Sequence, residues 1–266
     1  MVREFQNKHE WAIILGGSSG LGLATARKLA KEGLNLCIIY RDRKSHLPRI
    51  QSDFEEIMST HQVKLISYNK DVVKAENRQL ILSELSEILK DNGRVKCLVH
   101  SIAKGNLKPM RADDSRELQN DDFHITLENM AISLYDWTKD IYEQQLFAED
   151  ARIISFTSEG NKKAWKNYAA VSVAKVALEA ITRNIALEFA QYGIKANCIE
   201  AGVTDTTSFR MIPGNEALHQ HALQRNPFNR LTTPEDIANV VYLLTKEESK
   251  WITGVTLPVN GGEHLS

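Results

Sequence analysis

Short apolar runs alternate with longer amphipathic stretches along the whole chain, and this alternation limits the possible folds more than any other feature. The runs at 12–15, 36–40, 63–67, 97–99, 152–156, 196–199 and 254–258 read as buried strands. Between them, 22–31, 54–58, 78–89, 127–142, 170–189 and 234–244 carry apolar residues at helical spacing, as in Leu80, Leu82, Leu85, Ile88 and Leu89. Asp136 and Asp140 interrupt the fourth of these. A strand that pairs in parallel with its predecessor needs a crossover connection, so the pattern predicts βαβ units. The expected class is α/β, a seven-stranded parallel sheet with helices on both faces.

At 266 residues the chain can bury roughly 70 to 75% of its unfolded surface, enough for one large core. It has no internal repeat, low-complexity tract or Pro/Gly/Ser-rich linker, so residues 1–266 are expected to form one domain. The segment at about 202–229 is the least regular and suits a cover over a substrate site. Lys and Arg number 33 against 34 Asp and Glu, a net charge of −1 that argues against nucleic acid or an anionic membrane as partner. No run nears the roughly 20 apolar residues that span a bilayer, and the polar first ten residues do not read as a signal peptide. A cytoplasmic protein is expected. Cys37, Cys97 and Cys198 sit apart in apolar runs and read as buried structural thiols.

Directly after the first strand the chain reads Leu15-Gly16-Gly17-Ser18-Ser19-Gly20-Leu21-Gly22, followed at once by an Ala-rich helical pattern. A glycine turn between strand and helix lets main chain approach a pyrophosphate, while the helix start offers free N–H groups and a positive dipole end. A tight turn alone would explain the glycines, but their place in the first βα connection points to a dinucleotide. The spacing Gly16-x-x-x-Gly20-x-Gly22 resembles that of the short-chain dehydrogenase/reductase family, with Leu15 where that family normally has Thr. The resemblance implies a Rossmann-type doubly wound fold and a nicotinamide cofactor held by Gly16, Ser18, Ser19, Gly20, Leu21 and Gly22.

Cofactor choice is expected at the end of the second strand, where an acid would bind a ribose 2′-hydroxyl and an arginine a 2′-phosphate. No acid ends the strand at Tyr40; Arg41 and Arg43 flank Asp42. A guanidinium binds phosphate through two parallel hydrogen bonds, so NADPH is expected over NADH. Asp71-Val72 falls where the family contacts adenine, and a turn acid is the competing role. After the fourth strand, His100-Ser101-Ile102-Ala103 stands where most members have Asn-Asn-Ala-Gly, and resembles the enoyl-acyl-carrier-protein reductase branch. In that branch this loop runs beside the cofactor. His100 has no second ligand at metal spacing, so no metal site is expected.

Lys175 follows Tyr168 by seven residues at the start of a long helical pattern. The family's common tyrosine precedes its lysine by four, but that position holds Val171, which has no proton to give. Seven residues return to within about 20° of one helix face after a rise of about 10.5 Å, against about 6 Å for four. When a ketone is reduced, hydride arrives at the oxygen-bearing carbon and the donor must stand close to the nicotinamide. In an enoyl thioester, hydride arrives at the β-carbon and charge develops on an oxygen two carbons away, so the donor should stand further off. Tyr-x6-Lys is the enoyl reductase spacing in this family. Tyr168 would stabilise the enolate oxygen, and Lys175 would hold the nicotinamide ribose and make the phenol more acidic. Ser158, seventeen residues before Lys175, matches the carbonyl-binding serine of ordinary ketoreductases. Asn129 and Met130 compete for the family's helix asparagine.

Gly202-Val203-Thr204-Asp205-Thr206 resembles the nicotinamide-binding turn, with the Val203 main chain on the carboxamide and the Thr206 hydroxyl on a phosphate or amide. The stretches 226–237 and 252–262 also look familial, with Asn260 where Asp is commoner, and imply a dimer or tetramer. The first expectation is therefore NADPH-dependent reduction of the 2,3-double bond of an enoyl thioester carried by acyl carrier protein, in fatty-acid synthesis. Its acyl chain would lie under Phe209, Met211, Ile212 and Leu218. A 3-oxoacyl or other carbonyl reductase is the second, and a non-catalytic dinucleotide sensor the third.

Overall fold

The computed structural model describes residues 3–113 and 116–265. Its seven strands are β1 (Glu10–Leu15), β2 (Asn35–Tyr40), β3 (Leu65–Asn69), β4 (Arg94–His100), β5 (Phe147–Ser158), β6 (Ile194–Ala201) and β7 (Thr256–Val259). They form one sheet in the order β3-β2-β1-β4-β5-β6-β7, and every pair is parallel. The helices are α1 (Gly20–Lys31), α2 (Leu47–His61), α3 (Ala75–Leu89), α4 (Asn120–Leu127), α5 (Ser133–Glu143), α6 (Ala169–Glu188), α7 (Thr207–Arg210), α8 (Asn215–Arg225) and α9 (Pro234–Thr245).

Alternation along the buried strands sends successive side chains to opposite faces, which makes two cores. Ile13, Leu15, Cys37 and Ile39 pack on one face against Leu82 and Leu85 of α3, Trp137 of α5 and Leu178 of α6. Ala12, Ile14, Leu36 and Ile38 pack on the other against Leu29 of α1, Phe54 of α2, and Ile237 and Val241 of α9. The three thiols are buried and unpaired, as expected.

Several boundaries depart from the periodicity; β4, β5 and α3 begin three to five residues before it, and four other differences have a local cause. β3 lies two residues later than 63–67, because the Lys64 N–H is taken by the Asn35 side chain and pairing begins at Leu65. β7 starts at Thr256, since Gly254 has φ +76°. α2 extends well beyond 54–58, with Pro48 in its first turn, where a missing N–H costs nothing. The 127–142 pattern becomes α4, a π-turn at Glu128–Ile132 and α5. Its interrupting acids, Asp136 and Asp140, face Arg78 of α3. The segment at 202–229 is less irregular than its composition suggests, since it holds α7 and α8.

The β1–α1 turn sits at the centre of the sheet, beside the start of the loop after β4. Gly16 donates to the Ile39 carbonyl and Ser101 to the Leu15 carbonyl, tying the turn to both neighbouring strands. Gly16 has φ +87°, and a Cβ there would stand 2.3 Å from the Ser101 carbonyl oxygen. At Gly22 a Cβ would stand 2.2 Å from the Gly16 carbonyl oxygen, so α1 can leave the turn this tightly only with glycine. Gly22→Ala is expected to destabilise the protein by about 1–3 kcal/mol through backbone overpacking. Urea denaturation would measure this, and wild-type stability would contradict the packing.

Candidate active site

The glycine turn opens at the carboxyl ends of β1 and β4, where the sheet order reverses and a crevice forms outside the strands. Ser19 caps α1 in extended conformation without a side-chain hydrogen bond, and no acid occupies the first helical turn. The first N–H groups of α1, including those of Leu21 and Gly22, thus lack a side-chain cap and suit an anion. The Thr206 methyl would lie 3.4 Å from a Cβ on Gly20, so the 202–229 segment crosses directly over the cradle. The Thr206 hydroxyl accepts the Phe209 N–H as the cap of α7.

At the outer end of the crevice, Arg41 is the first residue past β2, exposed at 62% and ion-paired with Asp71. Arg43 is exposed. Asp42 between them turns inward: its carboxylate accepts the Ser18 hydroxyl at 2.6 Å and faces His46 Nδ1 at 3.1 Å. Val72 is buried and its carbonyl accepts the Trp137 indole N–H. Ile102 packs partly into the core, and Ala103 is exposed on the loop beyond it.

At the inner end, Tyr168 occupies the cap position of α6 and is 8% exposed. A Cβ on Gly160 would stand 2.5 Å from its ring, so the glycine leaves room for the phenol. Trp165 stacks obliquely on Tyr168 with ring centroids 5.5 Å apart. Met130, Val171 and Ala174 complete a small apolar cluster around the ring, joined by Leu107, Leu127 and Ile212. Of the four residues expected to line the acyl chain, Ile212 packs against this cluster. Phe209 is buried, Leu218 is half-buried and Met211 is 72% exposed. Of the competing helix residues, Met130 lies beside Tyr168, while the Asn129 amide donates back to Ile125 within its own helix.

Lys175 is buried, and its Nζ donates to the Phe156 carbonyl at 2.6 Å. Burial pushes its ammonium down to about 8. His100 lies behind it, bonded to Ser133 Oγ at 2.8 Å through Nε2, with Nδ1 buried and unpartnered. Burial and then the Lys175 charge push His100 down to about 3, so it is neutral. Burial raises the Tyr168 phenol, partly offset by Ser158, and Lys175 is not among the groups that act on it. The expectation that Lys175 acidifies the phenol is corrected: one extra helical turn separates them, and burial dominates. Ser158 Oγ is buried beside the Tyr168 phenol without a well-formed hydrogen bond, so the two hydroxyls stand together where a ligand oxygen could be held.

The turn after β6 is closely packed. A Cβ on Gly202 would meet Thr232 Oγ1 at 2.3 Å and Glu263 Oε2 at 2.9 Å, so glycine is required for close packing. The Val203 N–H donates to Glu263 at 3.1 Å and its carbonyl accepts from Thr232, which fixes the main chain of this turn while the carbonyl keeps a second lone pair. Arg225 of α8 forks onto Glu159 at 2.6 and 2.8 Å and also reaches the Glu263 carbonyl. These ties, together with Trp165, Leu107 and Glu179, are site features that sequence reasoning missed. They join residues far apart in the chain, and only Trp165 stands close to a recognised motif.

The glycine turn and the capless α1 fit the phosphates of a nicotinamide dinucleotide. The family model described as enoyl-(acyl carrier protein) reductase matches residues 16–264. The chain belongs to this family, within the short-chain dehydrogenases/reductases. This reductase-family oxidoreductase is 27% identical to an enoyl-[acyl-carrier-protein] reductase [NADH] of Aquifex aeolicus, over 96% of this chain and 91% of that one. It is equally similar, at 27% over 96% of this chain and 91% of the relative, to a 7alpha-hydroxysteroid dehydrogenase of Paraclostridium sordellii. FabI from Candidatus Liberibacter asiaticus shares the fold at TM-score 0.85 and 22% identity, covering 100% of this chain and 98% of that one.

Because the unfolded chain holds the Lys175 proton more tightly than the folded one, its charge is a cost to folding below about pH 8. That cost fades as pH rises towards the ordinary lysine value. Lys175→Met should make the cofactor-free protein more stable than wild type at pH 7, by up to about 3 kcal/mol. Urea midpoints of both proteins at pH 7 and pH 10 would test this; a gap that widens with pH would contradict it.

Proposed function

We propose that this reductase saturates the 2,3-double bond of an enoyl thioester with NADPH, its substrate carried by acyl carrier protein. The observation that carries the reading is Tyr168 at the cap of α6, seven residues before Lys175, with buried Val171 filling the place four before it. The cofactor supplies hydride to the β-carbon when bound. The Tyr168 phenol protonates the enolate oxygen, and the enol then returns to the thioester with that proton on the α-carbon while water reprotonates the phenol. Lys175, a buried cation, binds and orients the nicotinamide ribose. The Tyr168 phenol, neutral at working pH, donates a hydrogen bond to the thioester oxygen as charge develops there. The apolar wall of Met130, Trp165, Val171 and Ile212 excludes water from that bond and suits an acyl chain. The exposed Arg41 and Arg43 favour the 2′-phosphate of NADPH; the surface pair of Arg41 with Asp71 is weak enough to yield to it.

A second reading, reduction of a 3-oxoacyl group, is favoured by Ser158, whose buried hydroxyl beside the Tyr168 phenol suits a ketone oxygen. The test is to follow oxidation of NADPH and NADH with a crotonyl or longer enoyl thioester, and then with an acetoacetyl thioester. Faster turnover of the enoyl substrate with NADPH is expected. Turnover of the acetoacetyl thioester alone would overturn the reading in favour of the second.

A further inference from the structure

Lys175 shares its buried surroundings with several titratable groups. His100 of β4 is neutral, since burial and Lys175 push it to about 3. Cys198 of β6 is held neutral by burial, its thiol pushed up to about 11. Tyr168 at the start of α6 is pushed up by burial and is neutral too. Among the described residues, Glu179 is the one carboxylate whose charge acts on Lys175.

Glu179 stands four residues after Lys175 on α6, on the same side of the helix and one turn along. Its Oε1 accepts the Thr157 hydroxyl at 2.7 Å and also the Asn161 amide. Thr157 immediately precedes Ser158, and Asn161 ends the short turn that follows it. One carboxylate therefore grips both sides of the Ser158 segment while it faces the charge of Lys175. The cations and acids nearest Glu179 are otherwise engaged: Lys162 pairs with buried Glu200, and Glu159 with Arg225 and Lys163.

We propose that Glu179 is a positioning residue that fixes the Ser158 turn and keeps the Lys175 head group charged for the cofactor. No motif singles it out, because its hydrogen-bond partners, Thr157 and Asn161, lie on another part of the chain. A helix-face glutamate would ordinarily be solvated, but this one is half-buried and doubly bonded. Its grip on Ser158 rests on the function proposed above; its hold on Lys175 needs only that the protein binds a nicotinamide dinucleotide.

The experiment is the pH dependence of NADPH binding, read by fluorescence, for wild type, Glu179→Gln and Glu179→Ala. Binding by wild type should weaken above a break near pH 8, where Lys175 loses its proton. In Glu179→Gln the break should move down by about one unit, the effect of removing one charge at a helical turn's distance. An unmoved break overturns the charge role. Glutamine can still accept from Thr157 and Asn161 where alanine cannot. At a pH below both breaks, kcat should therefore fall about tenfold or more in Glu179→Ala with KM little changed, and recover in Glu179→Gln. Equal kcat in the two variants overturns the grip on Ser158. If wild type reduces neither thioester, the proposed reaction fails, while the pH break still tests Glu179 on binding alone.

Discussion

The architecture depends on how closely two pieces of main chain can approach at the middle of the sheet. Gly16 lies against the Ser101 carbonyl and Gly22 against the Gly16 carbonyl, with no room for a side chain at either place. That contact lets α1 leave towards one face while the loop after β4 continues beside the same turn. The result is a crevice at the switch point, floored by uncapped N–H groups. Everything described as the site hangs on this crevice: Arg41 and Asp71 at its outer end, Thr206 above it, and Ser158, Tyr168 and Lys175 at its inner end.

The inner end is electrically sparse. Around Lys175 the phenol, imidazole and thiol are all pushed away from their charged forms, and Glu179, one turn along α6, is the carboxylate whose charge reaches it. A lone buried ammonium is costly in isolation and useful when a polyhydroxylated, anionic ligand arrives. Burial, rather than that charge, sets the direction in which the phenol is shifted. Tyr168 is instead placed by packing, between Gly160, Trp165 and Val171, which ties its chemistry to its distance from the lysine.

Much of this was legible in the sequence for physical reasons. Strands buried on both faces read as apolar runs, and a glycine cluster between a strand and a helix has few other uses. The Tyr168–Lys175 spacing was legible because both lie on one helix. Other features were not, because they depend on long-range contacts. α2 was underestimated because only Ile50, Phe54 and Ile57 of its fifteen residues are buried. The π-turn at Glu128–Ile132 has no period that a helical template detects. The tie from Glu263 to the Val203 N–H, sixty residues apart, has no local signal. Glu179 passed unnoticed because its partners lie on another element.

The central claim is that the distance of the phenol from Lys175 selects which oxygen it serves. Moving the phenol tests this most directly: Tyr168→Phe combined with Val171→Tyr puts it four residues before the lysine, in a cluster already built around an aromatic ring. Folding of the double variant is checked by NADPH binding, and its turnover is compared on enoyl and 3-oxoacyl thioesters. The expected result is a fall of about tenfold or more in the ratio of enoyl to 3-oxoacyl turnover, the scale of one well-placed donor. A folded double variant with the wild-type ratio would contradict the claim.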